Sequence, residues 1–291
     1  MSASSSSVNL REAVKYLERL PAMPEIAQKI LMLNLESREG EQAMLKLIEK
    51  DPLISGRIIG LANTPLFGPS KRVTSVSDAA MLLGITRVKT VSVGIAVMST
   101  LAAKSTGDLD IQGLWLHSLA ISLAARTIAR AMPGNARPLD DEIFLAGLLH
   151  DIGYLVLNHL DPQKSTRLHA QFVAEPERSS LDIERELLEM NHSELGAELA
   201  RFWDLPQSII TVIRYHHDPQ NAEASKALPL VSIINLAERI LSFFGISEHD
   251  TYSISPENWQ ALGIAPAKGD ELIELIKMQS EEAKQSAGNV P

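Results

Sequence analysis

A histidine and an aspartate stand side by side at the end of an apolar run, Phe144-Leu145-Ala146-Gly147-Leu148-Leu149-His150-Asp151-Ile152-Gly153. Both side chains are excluded from a protein core unless they are paired or bound to something. His117 precedes the pair, and His192, His216 and His217 follow it at expected helix ends; His159 is a close neighbour with no evident role. Neutral imidazoles and carboxylates converging from several helices are what a hydrolytic metal centre needs. There the ion lowers the pKa of a bound water towards ~7 and supplies hydroxide at neutral pH. Imidazole mixed with carboxylate suits iron, manganese, zinc or nickel better than calcium.

Each histidine also has a plainer reading. His216 and His217 at a helix C-terminus are favoured by the helix dipole without any ligand. His192, near a helix N-terminus, can be solvated. His117, between Trp115 and Leu119, can be a hydrogen-bonded core residue, and His150-Asp151 can pair with neighbouring groups. On a regular helix the adjacent His216 and His217 diverge by about 100°, so either one is a ligand while the other faces water or the helix end unwinds.

The elements that must position these groups are helical. Leu10, Val14, Leu17 and Leu20 recur at three and four residues, and Pro24 can open the next helix. Asp51-Pro52 reads as an N-cap with proline at the first helical position. Ser77-Asp78 opens a helix that Gly84 closes, and Thr86 to about Ala103 is a long buried helix. Further helices are expected over 111–132, up to His150-Asp151, through Leu155 and Leu157, over 180–190, from the capping box Asn191-His192-Ser193-Glu194 to Trp203, over 206–217 and over 228–244. Residues 246–291 are expected to hold two short amphipathic helices, with Asp270, Glu271, Glu274, Glu281 and Glu282 on a solvated face. Met23, Met32, Met44 and Met81 read as core fillers. No alternating strand pattern, repeat or glycine-rich phosphate loop is evident, so the class is all-α.

Composition narrows the function classes. The chain has 291 residues, 45% of them hydrophobic, which is enough for a sizeable core. A formal net charge of −9 argues against DNA or an anionic membrane as partner. With no cysteine, disulfides, thiolate zinc sites and cysteine nucleophiles are excluded, and a reducing cytoplasm is expected. The serine-rich start, residues 1–7, reads as disordered and lacks the pattern of a signal peptide. The longest uncharged apolar stretch, Thr90–Ala103, is too short to span a bilayer.

The first half resembles the HDOD domain of bacterial signalling proteins. The matching residues are Leu20-Pro21-Ala22-Met23-Pro24-Glu25, Ile48-Glu49-Lys50-Asp51-Pro52-Leu53, Leu61-Ala62-Asn63-Thr64-Pro65 and Ala79-Ala80-Met81-Leu82-Leu83-Gly84, in the same order and spacing. The second half resembles the HD superfamily of metal-dependent phosphohydrolases, of which HDOD proteins are a branch. His117 matches the first ligand, His150-Asp151 the pair that names the superfamily, His192 the single histidine that follows, and His216-His217 the paired histidines of HD-GYP phosphodiesterases. Glu238 stands where the last ligand is an aspartate. This implies His117, His150, Asp151 and Glu238 around one ion, His192, His216 and His217 as ligands of a second, and Asp151 as bridge and, in an active enzyme, catalytic residue.

The resemblance further implies residues 8–245 as one HDOD unit, split near 104–108 into a first half (8–105) and an HD-like half (106–245), with 246–291 as an extension. Two departures weigh against catalysis. Tyr154 replaces the lysine that would help hold a phosphate, and the Gly-Tyr-Pro motif is missing from Asp218-Pro219-Gln220-Asn221-Ala222. The implied function is a regulatory module acting through a protein partner in a signalling pathway. The alternative is a metal-dependent phosphohydrolase acting on a nucleotide or cyclic dinucleotide, with Arg126, Lys164, Arg167 and Arg214 as candidate phosphate holders.

Overall fold

The computed structural model describes residues 20–64, 67–69, 71–103, 108–242 and 254–287, and these are helices and turns with no strand among them. The helix expected through Val8–Leu17, the disordered start and most of the 104–108 boundary lie outside the described residues.

Side-chain caps set the helix starts in the first half. Ser37 caps Arg38–Glu49 by accepting from the Gly40 N–H. Asp51 caps Pro52–Ala62, its Oδ1 accepting from the N–H groups of Leu53 and Ile54 at 3.0 Å, and such a cap contributes about 1 kcal/mol. The next helix begins just ahead of the expected Ser77-Asp78. Ser75 is the cap, because its hydroxyl oxygen accepts from the Asp78 N–H, and the helix is Val76–Leu83. Asn63 ties off the preceding loop: its amide donates to the Val73 carbonyl at 2.8 Å and its oxygen accepts the Val73 N–H at 2.9 Å. Gly84, at φ +90°, ends one helix and caps the next.

That next helix, Ile85–Ala102, is buried along most of its length and packs against Glu25–Met32 and Asp140–Leu149. It and the 140–160 stretch are long and apolar enough to cross a membrane by length and composition, and both are mostly buried inside the helical body. One continuous core runs from Leu20 to Ile276. Trp203 Nε1 donates to the Pro21 carbonyl at 2.8 Å, so the end of the fourth-from-last long helix holds the described start of the chain.

Two expectations need correcting. Met23 and Met44 are buried, but Met32 is 84% and Met81 79% exposed. Helix phase explains both: Ala27 and Ile30 fix the buried face of one helix, and Val76, Ala79 and Leu83 that of the other. The C-terminal region carries one short helix, Pro256–Ala261, and one of 19 residues, Gly269–Ala287. The long one packs on Ile111–Ala131, where Thr127 Oγ donates to Gln279 Oε1 at 2.9 Å. Its five acidic residues are exposed as expected.

Candidate metal centre

Three helices and two helix ends deliver the candidate ligands. His117 sits within Ile111–Ala131 and Glu238 within Leu230–Leu241. His150 closes Asp140–Leu149, and Asp151 is the N-cap position of Ile152–Leu160, so the pair occupies the corner between two helices. His192 opens His192–Phe202 behind the Asn191–Glu194 capping box. Gln207–Tyr215 ends just before His216 and His217.

Glycines let these helices meet. A Cβ on Gly153 would lie 1.9 Å from the His192 carbonyl oxygen, and one on Gly147 would lie 2.6 Å from Ser122 Cα. The glycine of His-Asp-x-Gly is therefore a close-approach position between Ile152–Leu160 and His192–Phe202. Gly153→Ala is expected to destabilise the fold by about 1–3 kcal/mol or more, since backbone and not a flexible side chain must give way. Gly134→Ala, where a Cβ meets nothing within 4 Å, is the control in the same thermal melt.

All seven candidate ligands come together. The donor atoms of His117, His150, Asp151 and Glu238 lie within 4.8 Å of one another, as do those of Asp151, His192, His216 and His217. Asp151 joins the sets by facing one with each oxygen. Its Oδ2 is 3.2 Å from His150 Nε2 and 3.5 Å from His117 Nε2, while its Oδ1 is 3.3 Å from His192 Nε2 and 3.5 Å from His216 Nε2. Glu238 Oε1 lies 2.6 Å from His150 Nε2 and 3.0 Å from His117 Nε2. Of the alternatives for His216 and His217, the ended helix is the one found, and the two converge. The helix stops at Tyr215, the rings are 4.1 Å apart, and both Nε2 atoms lie 3.1–3.3 Å from His192 Nε2. Asn235 Nδ2 donates to the His216 carbonyl at 2.7 Å and fixes that turn.

Tautomers follow from the outer contacts. A carbonyl only accepts, so Nδ1 of His150, 2.8 Å from the Gly147 oxygen, carries a proton, as does Nδ1 of His216, 3.0 Å from the Ile213 oxygen. Their Nε2 lone pairs are thus turned inward at carboxylate oxygens. His150 Nε2 and both oxygens of Asp151 are buried without a hydrogen bond of good geometry. Lone pairs facing lone pairs at such distances call for a cation between them, a proton or a metal ion. This donor set fits a transition-metal ion.

Charge shifts record the same crowding. Burial alone would depress His117, His150 and His192, but carboxylates outweigh it and raise all three: Glu238 chiefly for His117, Asp151 then Glu238 for His150, and Glu184 then Asp151 for His192. Burial would raise Asp151 and Glu238, but His150 pulls the first below the usual carboxylate range and His117 and His150 the second. His216 and His217 are lowered, by burial first.

The centre is closed on most sides. Six of the seven residues are buried, Asp151 at 1% exposure, and His217 is partly exposed. The cleft beside Asp151, lined by Met98, Leu114, Leu148 and Leu155 among others, has no room for a water molecule. Tyr154 is fully buried with its ring stacked on His192. Two of the four candidate phosphate holders are engaged elsewhere, Arg126 with Asp140 and Arg214 with Glu194. His159 lies outside both ligand sets.

Sequence reasoning missed Glu184, a fully buried carboxylate that bonds His192 and Tyr154. With Ser180, Ile183 and Leu188 it shares the buried face of Ser180–Leu188, a face the charged run around it does not announce.

Comparison with known proteins bears on the fold and the family. The chain is 26% identical over 235 residues to an uncharacterized protein of Treponema pallidum, and the match covers 79% of this chain and 44% of that one. It thus spans less than half the length of that relative. Its fold is similar to that of a candidate signal transduction protein from Marinobacter aquaeolei (TM-score 0.78, 24% identity, 99% of this chain and 63% of that one). It is similar also to an HDOD domain protein of unknown function from Geobacter sulfurreducens (0.75, 23%, 94% and 98%) and to a candidate phosphohydrolase from Shewanella amazonensis (0.72, 22%, 98% and 99%). The sequence profile of the HDOD domain matches residues 20–219, which is most of the chain. The chain belongs to the HDOD domain family.

Proposed function

We propose that this protein is a regulatory HDOD module that acts through a protein partner in a signalling pathway, and that its buried ligand set holds metal as a brace and not as a hydrolytic centre. His117, His150, Asp151 and Glu238 would hold one ion and His192, His216 and His217 a second, with Asp151 common to both ligand sets. A resident ion of this kind supplies, when bound, Lewis acidity and a bound water of lowered pKa. What this chain's residues do is hold seven side chains from separate helices at one point. The observation that carries the reading is closure. Six of the seven groups are buried, the cleft between Asp151, Met98, Leu114 and Leu148 has no room for water, and Tyr154 covers His192 where a phosphate-holding lysine is expected.

Partner binding draws support from the surface of the first half. Met32 and Met81 are exposed there, and Met32 borders an open cleft of about 400 Å³ with Leu33, Leu35, Ile85 and Lys89. Exposed methionines adapt to varied partners. The cleft is the place to look for loss of partner binding on substitution.

A second reading, a metal-dependent phosphohydrolase acting on a nucleotide or cyclic dinucleotide, draws on the partly exposed His217 and on the description of the Shewanella relative. Turnover separates the two. Metal-replete protein, offered nucleotides and cyclic dinucleotides, is expected to hydrolyse them no faster than Asp151→Ala. Turnover that Asp151→Ala abolishes without unfolding would overturn the regulatory reading.

The charge shifts also set a pH dependence. His117, His150 and His192 have raised values, so their contribution to metal-free stability is full below ~6.5, the ordinary histidine value, and is lost as pH rises through the raised values. Asp151 and Glu238 have lowered values, so theirs is present above ~4 and is lost on acidification. Metal must displace the imidazole protons. The difference in melting temperature between metal-loaded and chelated protein is therefore expected to be larger at pH 8 than at pH 6.

A further inference from the structure

Glu184 stands outside both ligand sets, yet it is fully buried and its carboxylate is spread over two neighbours. Oε1 accepts the Tyr154 hydroxyl proton at 2.7 Å, and Oε2 accepts the His192 backbone N–H at 2.7 Å. The two oxygens lie 2.9 and 3.0 Å from His192 Nδ1. The Tyr154 ring lies over the same imidazole, with centroids 4.4 Å apart and planes inclined by 22°.

The three histidines differ in how their outer nitrogens can be held. His150 and His216 follow helix C-termini, and each finds the carbonyl three residues back, that of Gly147 or Ile213. His192 is the first residue of its helix, so no carbonyl of that helix precedes it. An acceptor must come from another element. Ser180–Leu188 supplies it, with Glu184 on its buried face.

We infer that Glu184 is the positioning residue that aims His192 at the metal centre, and that Tyr154 locks Glu184 in place. The inference rests on the metal-centre reading above. The carboxylate keeps a proton on Nδ1 and so turns the Nε2 lone pair inward, where Ser193 Oγ also lies 3.2 Å away. Nε2 faces Asp151 Oδ1 at 3.3 Å and the Nε2 atoms of His216 and His217. A carboxylate on the outer nitrogen also raises the basicity of the ligand. The hydrogen bonds fix rotation about the imidazole, and the stacked Tyr154 ring fixes its tilt. Tyr154 therefore has a use at the position where the resemblance expects lysine: it serves the ligand, not a phosphate.

The test uses the whole chain, with zinc as probe, in wild type, Glu184→Ala, Glu184→Gln and Tyr154→Phe. Two quantities are read: zinc affinity by chelator competition, and the Nδ1–H signal of His192 by proton–nitrogen NMR. Wild type is expected to show a slowly exchanging, downfield Nδ1–H. In Glu184→Ala that signal is expected to be lost and the affinity for one of two zinc ions to fall about 10–100-fold, with the other ion less affected. Tyr154→Phe is expected to weaken the same ion by less and to speed exchange of the signal. Should Glu184→Ala not fold, Glu184→Gln carries the test, since it keeps the volume and loses the charge; a weakened ion and faster exchange are expected. A folded Glu184 variant with an unchanged Nδ1–H signal and unchanged zinc affinities overturns the inference. A wild type that binds no zinc overturns the metal-centre reading and with it the ligand role of His192. The exchange rate then still decides separately whether Glu184 fixes the ring.

Discussion

Asp151→Ala is expected to empty both halves of the centre at once. Asp151 is the one residue common to the two ligand sets, and each of its oxygens faces a different set. Glu238→Ala and His217→Ala touch one set each and are expected to leave one ion. Asp151→Ala should also lower the stability of the metal-free protein. His150 and His192, both raised in pKa with Asp151 among the causes, would lose a carboxylate that offsets their charge. Removing one partner of a buried ion pair costs about 3–5 kcal/mol. Elemental analysis gives the stoichiometry and thermal denaturation the stability. Retention of two ions by a folded Asp151→Ala would contradict the bridging role.

Chelation is expected to have the next largest effect. An ion that binds only the native state at a free concentration 1,000 times its Kd adds about 4 kcal/mol. For a chain of this size that corresponds to a fall in Tm on the order of 10 °C when the ion is stripped. The ligands come from helices across the second half, so a bound ion would add to the packing and the few hydrogen bonds that join those helices. The drop should disappear in Asp151→Ala, which separates loss of the ion from any direct action of the chelator.

The order of helices and the corner at His150-Asp151 were legible because local chemistry fixes them. Asp51-Pro52 and Asn191–Glu194 cap helices as their residue types dictate. Where two serines compete, local signals do not choose: Ser75 caps the helix that Ser77-Asp78 was expected to begin. Asp161-Pro162 carries the same signal as Asp51-Pro52 and opens Pro162–Ala174, a helix that the periodicity around it left unmarked. The convergence of His216 and His217 depends on where a helix stops, which hydrogen bonding from Asn235 helps decide across the bundle. His192 looked like a solvated helix-start residue because its partner, Glu184, reaches it from a different helix. Glu184 in turn sits in a run, Asp182-Ile183-Glu184-Arg185-Glu186, whose charge suggests solvent. Only the pairing of that helix with its neighbour selects one carboxylate for burial. Met32 and Met81 were misplaced for a related reason: methionine tolerates both core and surface, and phase alone decides.

Anomalous diffraction at the metal edge, from crystals of wild-type protein grown with manganese or zinc, tests the centre most directly. Two peaks are predicted, about 3.5–4 Å apart and bridged by Asp151, one among His117, His150 and Glu238 and the other among His192, His216 and His217. Density confined to surface carboxylates, with the buried cluster free of any peak, would contradict the account.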